Sequence, residues 1–506
     1  MSAPKQPELQ RALGLPVWVF QAFVAILLLL KLSYSLVVPP RGDEAYYWLW
    51  GQHLELSYFD HAPFIGWAMA VSDRLFGWNL FALRAGNFAS LAGSAVILLH
   101  WARQLAPDNW QRAFWGSLAV YLASPLVFGI TTIAYPDAWL MLFCLLSAHF
   151  FARAFTAQID RGMVTPLNFY AGGIALGFAA LSKYNAALFG VGVALAIVAS
   201  PRLRPLLKSP HLYLAALASL AVLSPVVIWN ASNEFISFRF QLYERHGTTW
   251  LSDIDWPQFT HYAISLSLYA SPFLLVPILR MMAKRVGTGE LAGLQLLGRA
   301  TLLASLVPIS ILALFVAGAP HWAISGLVVP AAIAIYFFWS RWLVLGHLVL
   351  GTLAGVVVVG YYMTYAFTNP GGDAEASRFY GWDQVGARMQ QLAVEHGAAT
   401  TLAGSRYEYI SMVSWALRST DVTSLSPARD EFDYWRDDAA LAGQNIIILD
   451  ERRQGPKPFE AIFESVEVLE SFEVRLFGRE LHSYPILLGQ NYRPAPDPQE
   501  LAQQPE

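Results

Sequence analysis

Charge is scarce in this sequence: 14% of its 506 residues are Asp, Glu, Lys or Arg, against 56% from the hydrophobic set. Soluble domains carry about a quarter charged residues, so the chain has too few to dress a wholly soluble surface. Cysteine is nearly absent. Cys144 stands alone inside an apolar run, which excludes a disulfide framework within one chain and leaves any soluble part to be held by its own core. That lack does not argue against an extracytoplasmic location. There is no Walker loop, no dinucleotide fingerprint and no HExxH helix, so nucleotide-dependent or zinc-protease chemistry has no support. A basic patch interleaved with aromatics is missing too, and no nucleic-acid partner is expected. No small-residue cleavage site follows the first apolar stretch, which therefore reads as a retained helix.

Long apolar runs are what the chain has instead. Eleven segments near the length needed to cross a hydrocarbon core about 30 Å thick fall at 17–37, 79–102, 112–131, 138–157, 167–182, 184–200, 211–229, 259–280, 300–317, 321–339 and 342–366. They then stop. The expected fold is mainly α: a polytopic transmembrane domain over residues 1–366, followed by a small α/β extracytoplasmic domain over 367–506 with a Pro- and Gln-rich disordered tail. Charge follows the same division. Residues 1–366 hold 21 Lys/Arg and 14 Asp/Glu, whereas 367–506 hold 12 and 22. The connecting loops alternate, with Arg103/Arg112, Arg153/Arg161, Arg202/Arg204/Lys208, Arg280/Lys284/Arg285/Arg299 and Arg341 on one side. The positive-inside rule puts that set and the N-terminus in the cytoplasm and the C-terminal domain outside.

Two outer loops are too long to be turns. Residues 38–78 mix tyrosines and tryptophans with charge, and are expected to form interfacial helices anchored at the membrane surface. Residues 230–258 are similar but more polar. In the tail domain, helices are expected at "DQVGARMQQLAVEHG" and near "YEYISMVSWAL". A buried strand is expected at "NIIILD", with an edge region ending in "SYPILLGQNY".

The chemistry-bearing residues gather in the outer loops. Asp43 and Glu44 follow the first apolar run, and Tyr46 begins the aromatic belt. Acids at a helix start are common caps, but two at the exit from the bilayer also suit a general base facing a membrane-bound substrate. Asp137, behind Pro136, has the same two readings. Lys183 lies in "GFAALSKYNAALF", a hairpin with almost no loop. A charge in hydrocarbon costs roughly 2.5–3.5 kcal/mol on the lenient scale, so it either snorkels or has an anionic partner, for which a lipid phosphate is a candidate. Arg239, Arg245 and His246 lie in the 230–258 loop, and arginine's planar fork suits phosphate. His61 in "YFDHAP" and His321 in "APHW" complete the set. His53 and His61 with Glu44 or Asp60 are the candidate metal ligands, yet no ligand spacing is diagnostic. No cofactor is expected to be essential.

Five stretches in order, "RGDEAYYWLWGQHLELSYFDHAPFIGW", "YPDAWLMLF", "GFAALSKYNA", "PVVIWNASNEFISFRFQLYERH" and "HWAISG", resemble the GT-C membrane glycosyltransferases. The closest branch groups the protein O-mannosyltransferase-like enzymes with the lipid A aminoarabinose transferases. The resemblance covers about residues 15–366. It implies a catalytic Asp in the first outer loop, matched by Asp43 beside Glu44, and a second acid matched by Asp137. It also implies basic residues holding the phosphate of a polyprenyl-phosphate sugar, matched by Lys183, Arg239 and Arg245. Relatives often show "DHPP" where this chain has "DHAP", so Ala62 departs from the pattern. The implied partners are that donor, a lipid, glycan or protein acceptor, and membrane lipids, with the enzyme in a bacterial inner membrane. A lipid-linked sugar flippase or secondary transporter is the alternative; transporters often show repeat symmetry, which is missing here, and the ionisable residues collect at one face. A noncatalytic envelope scaffold would leave Asp43, Asp137 and Lys183 without a shared purpose.

Overall fold

The structure, a computed structural model, describes residues 14–241, 254–368 and 374–494. It divides into two compact units. The first comprises residues up to Leu36, Glu55–Ala68 and Arg84–Val359; the second comprises Val37–Leu54, Met69–Leu83 and the chain from Gly360 onward.

The first unit is helical. Among the described residues, five helices are long and apolar enough to cross a membrane: Val17–Val37, Leu80–Leu105, Pro136–Arg161, Glu290–Leu312 and Arg341–Thr368. The number rises to seven when two bent pairs count as one span each. This is a multi-pass membrane protein, but several of the eleven expected segments are broken or short. Prolines make the breaks. Pro125 separates Trp110–Ala123 from Pro125–Ile130 at an extended Ser124. Pro225 lies at the junction of Pro210–Val222 and Ser224–Ser232, which bend by 52°. Pro272 follows Ser271, whose φ is +80°, and the flanking helices bend by 92°. Each proline removes an amide donor and its ring collides with the carbonyl four residues back. Where helices do run side by side, glycine lets them touch: a Cβ at Gly173 or Gly351 would strike the carbonyl oxygen of Ala215 or Ala123.

Lys31, in the middle of the first apolar run, is 1% exposed. Its ammonium donates to the Phe128 carbonyl at 2.7 Å and to the hydroxyls of Thr131 and Thr132 at 2.7 and 2.8 Å. A buried cation survives only with such partners. The three bonds pin the first helix to the turn that leads into Pro136.

The second unit is built on a five-stranded mixed sheet in the order β2-β1-β3-β5-β4, with β1 Leu402–Gly404, β2 Val422–Ser424, β3 Ile446–Leu449, β4 Phe463–Leu476 and β5 Arg479–Tyr492. β1 runs parallel to β2 and β3, and β5 is antiparallel to both β3 and β4. The β4–β5 hairpin turns on Phe477 and Gly478 at φ +50° and +76°, the left-handed pair that matches strand twist. Helices form at Trp382–Glu395 and Tyr407–Leu417 as expected, and every residue of β3 is buried. One expectation is corrected. The strand ending in "SYPILLGQNY" is interior to the sheet, bonded on both sides, because β4 returns to cover it; the edges are β2 and β4.

A second correction concerns the 38–78 loop. Helices Gly42–Gln52 and Phe64–Phe76 are present, but the aromatics of the first do not face lipid. Tyr46 is 1% exposed and Trp48 and Trp50 are fully buried. Trp48 sits edge-on to Trp78 and Trp415 at 5.6 and 5.1 Å, and Tyr46 lies 4.4 Å from Tyr407, centroid to centroid. Large rings bury the most apolar area when packed on other rings, and the tail-domain helix Tyr407–Leu417 supplies them.

Glu451, just past β3, gives this unit a pH signature. Burial pushes its carboxyl from about 4.5 up to about 8, against the opposing effects of Ser405 and Arg406, with Asp450 adding to the rise. A group protonated in the folded state and ionised in the unfolded one supports folding fully at acidic pH. That support, on the order of a few kcal/mol, is lost as pH rises through about 8. Thermal melting of wild type should therefore decline from pH 5 to pH 8 more steeply than that of Glu451→Gln. Parallel curves for the two proteins would contradict this.

Candidate active site

Within the first unit, the site is built around Asp137 and Lys183. Pro136 occupies the first helical turn, where its missing amide costs nothing, and so places Asp137 at the N-terminus of Pro136–Arg161. Lys183 is the extended residue that ends Pro166–Ser182. Its ammonium donates to both Asp137 carboxylate oxygens at 2.9 and 2.8 Å. The two residues are 1% and 7% exposed. The anionic partner a buried lysine requires is thus Asp137 itself. His61 and His321 lie within electrostatic range of the same carboxylate, and the His61 ring stacks 6.4 Å from Tyr184.

Several loop segments of this unit are tied together by hydrogen bonds. Asn185 donates to the Trp322 carbonyl at 2.9 Å, joining the lysine hairpin to the "APHW" turn. Trp229 donates to the Glu55 carboxylate at 2.5 Å, Ser237 to the Tyr58 carbonyl at 3.0 Å, and Gln241 to the Asp60 carbonyl at 2.5 Å. Glu234 and Phe235 hold φ at +55° and +56°. Non-glycine residues rarely adopt this conformation, and the turn they make opens the short helix Ile236–Arg239. Arg239 closes that helix and is exposed. Arg245 and His246 lie outside the described residues.

The second unit holds Asp43, Glu44 and Tyr46. Glu44 is fully buried, and its carboxylate accepts from the Arg41 amide at 3.0 Å. That is the reach-back bond of an acid at the third helical position, so capping accounts for at least one of its oxygens. Asp43 is only half-buried. Tyr407 donates its hydroxyl to Asp43 Oδ1 at 3.4 Å. The Tyr46 hydroxyl accepts from the Glu431 amide at 2.7 Å. Glu408 is the next neighbour: a Cβ on Gly42 would fall 2.6 Å from its Cβ. Burial raises the Glu408 carboxyl, Arg406 opposes the rise, and the Asp43 charge adds to it. Sequence reading saw only a helix in "RYEYI"; a tyrosine and an acid at its first turn, beside Arg406, were the available signal. Among the described residues, no three His, Cys, Asp or Glu side chains are placed to hold a metal ion.

Comparison with known proteins bears on this arrangement. Residues 60–229 match the PMT_2 family, dolichyl-phosphate-mannose-protein mannosyltransferase. The lipid A galacturonosyltransferase RgtD of Rhizobium johnstonii is 23% identical over 456 residues, 85% of this chain and 89% of that protein. An undecaprenyl phosphate-α-4-amino-4-deoxy-L-arabinose arabinosyl transferase 2 of Sodalis glossinidius is 30% identical over 173 residues, 32% of this chain and 30% of that one. The apo crystal structure of ArnT from Cupriavidus metallidurans aligns with a TM-score of 0.58 at 16% identity, covering 93% of this chain and 97% of that one. The fold is ArnT-like, and the chain is similar to membrane glycosyltransferases of the PMT and lipid A-modifying kind. A second ArnT crystal structure, bound to undecaprenyl phosphate, aligns with a TM-score of 0.57. The PMT-matched stretch contains His61, Asp137 and Lys183, whereas Asp43 and its tail-domain neighbours lie outside it.

Proposed function

We propose that the chain is an inverting glycosyltransferase moving a sugar from a polyprenyl-phosphate donor to a hydroxyl of an envelope acceptor, with the lipid A or core saccharide favoured over a protein. In this reading it works at the outer face of a bacterial inner membrane, N-terminus in the cytoplasm and residues 367–506 in the periplasm. The observation that carries it is the buried Asp137–Lys183 pair flanked by His61 and His321. Buried ionisable residues in membrane proteins commonly serve a charged ligand or a proton path.

Asp43 takes the proton from the acceptor hydroxyl as the oxygen bonds to the anomeric carbon. The carbon–phosphate oxygen bond breaks on the opposite face, which inverts the centre. Polyprenyl phosphate departs as a stable anion and needs cations rather than a proton donor. Lys183 supplies one, and Arg239 and Arg245 supply others, to stabilise the charge that develops on the phosphate. Asp137 holds Lys183 and orients it. Tyr407 holds Asp43 in position through its hydroxyl.

The experiment is reconstitution of the purified chain with an undecaprenyl-phosphate sugar and extracted lipid A. Sugar should accumulate on the acceptor as undecaprenyl phosphate is released. Intact donor and unmodified acceptor across galacturonosyl, aminoarabinosyl and mannosyl donors would overturn the reading.

A further inference from the structure

The second unit contains a cavity of about 210 Å³ that the proposed chemistry does not use. It is lined by the β2 residues Val422 and Thr423, by Trp435, Phe432 and Leu441, and by the charged Asp421 and Arg436 among others. A space of this size suits one sugar ring.

The lining has the composition such a ring requires. Trp435 is stacked on His53 at 4.5 Å and 20°, and is edge-on to Phe432 at 5.3 Å, which makes a rigid apolar wall for ring C–H groups. The Trp435 indole N–H and the Thr423 hydroxyl are buried and make no hydrogen bond among the described residues. Thr423 is 3% exposed. Buried donors without partners are rare in folded proteins, and both belong to side chains that line this cavity. Asp421 is exposed, accepts from the Thr401 hydroxyl, and has a second oxygen for ligand hydroxyls.

Charge selects the class of ligand. Arg436 is committed to Asp438 at 2.6 Å, Asp433 at 3.1 Å and the Ser424 carbonyl at 2.9 Å. Asp421 and Asp437 leave the lining acidic, so an anionic sugar would meet like charge. We infer that this cavity is a saccharide subsite for one uncharged sugar ring of the acceptor. The inference deepens the proposed function and rests on it for the source of the ring, but not for the binding itself.

Saturation-transfer NMR on the detergent-solubilised full chain tests it, with methyl β-D-glucopyranoside and sodium galacturonate as probes. The glucoside should receive saturation and the galacturonate much less. Thr423→Val and Asp421→Asn, both conservative in shape, should each weaken glucoside binding, Asp421→Asn by about tenfold, with melting temperatures unchanged. Asp43→Asn should bind it as wild type does. Loss of sugar transfer with this binding pattern intact would sink the proposed function and leave the subsite standing. No transfer of saturation to the glucoside, binding unaffected by both cavity variants, or galacturonate as the better ligand would each overturn it.

Discussion

Asp43→Asn is expected to lower turnover by about 10²–10⁴-fold, the usual contribution of a positioned acid or base, with folding and donor binding little changed. The variant keeps the size of the side chain. Asparagine is nearly as good as aspartate at a helix start, and its amide oxygen can still accept from the Tyr407 hydroxyl that reaches Asp43 at 3.4 Å. What it cannot do is take a proton. Capping and catalysis therefore separate in a single substitution, measured as turnover with purified protein alongside its melting temperature. Near wild-type turnover in Asp43→Asn would falsify the role as base. A fall in melting temperature matching the loss of activity would assign the residue to folding instead.

The second large effect concerns the Asp137–Lys183 pair, whose members are both buried and 2.8 Å apart. Lys183→Met alone leaves a buried carboxylate without its cation, and Asp137→Leu alone leaves a buried cation. Each should destabilise the protein by about 3–5 kcal/mol. Replacing both partners by apolar side chains removes the unpaired charge, and such double replacements are often neutral or stabilising. The Asp137→Leu/Lys183→Met protein should therefore melt near wild type yet fail to transfer sugar, because the phosphate has lost a cation. All three variants are compared by thermal denaturation in detergent and by donor turnover. Recovery of turnover in the double variant would show the pair to be a purely structural strut.

How far the sequence carried the account differs from residue to residue. The division of apolar and acidic parts, the helices Trp382–Glu395 and Tyr407–Leu417, and the strand Ile446–Leu449 follow from patterning that any reader can apply. Pro125, Pro225 and Pro272 were equally visible, and they mark where helices expected to be straight bend or stop. Lys31 stands in plain view among leucines, but hydropathy averages over it; its partners, Phe128, Thr131 and Thr132, are about a hundred residues away. The same separation hides the site. Lys183 needed an anion, and nothing in its neighbourhood says that the anion is Asp137, 46 residues earlier. Tyr407 reaches Asp43 across 364 residues. The aromatic belt was read as a membrane anchor because Trp and Tyr favour that interface; the same side chains serve as well in a protein core, and Trp48 and Trp50 are fully buried. Composition cannot distinguish the two.

The most direct measurement of the central claim is the fate of the donor in sealed proteoliposomes containing the purified chain, with undecaprenyl-phosphate sugar and lipid A on the face that the C-terminal domain occupies. The account predicts one molecule of undecaprenyl phosphate released for each sugar found on the acceptor, with release slowed by about 10²–10⁴-fold in Asp43→Asn. Donor that crosses the bilayer intact, with no undecaprenyl phosphate formed and no dependence on Asp43, would contradict it and make the chain a carrier of lipid-linked sugar.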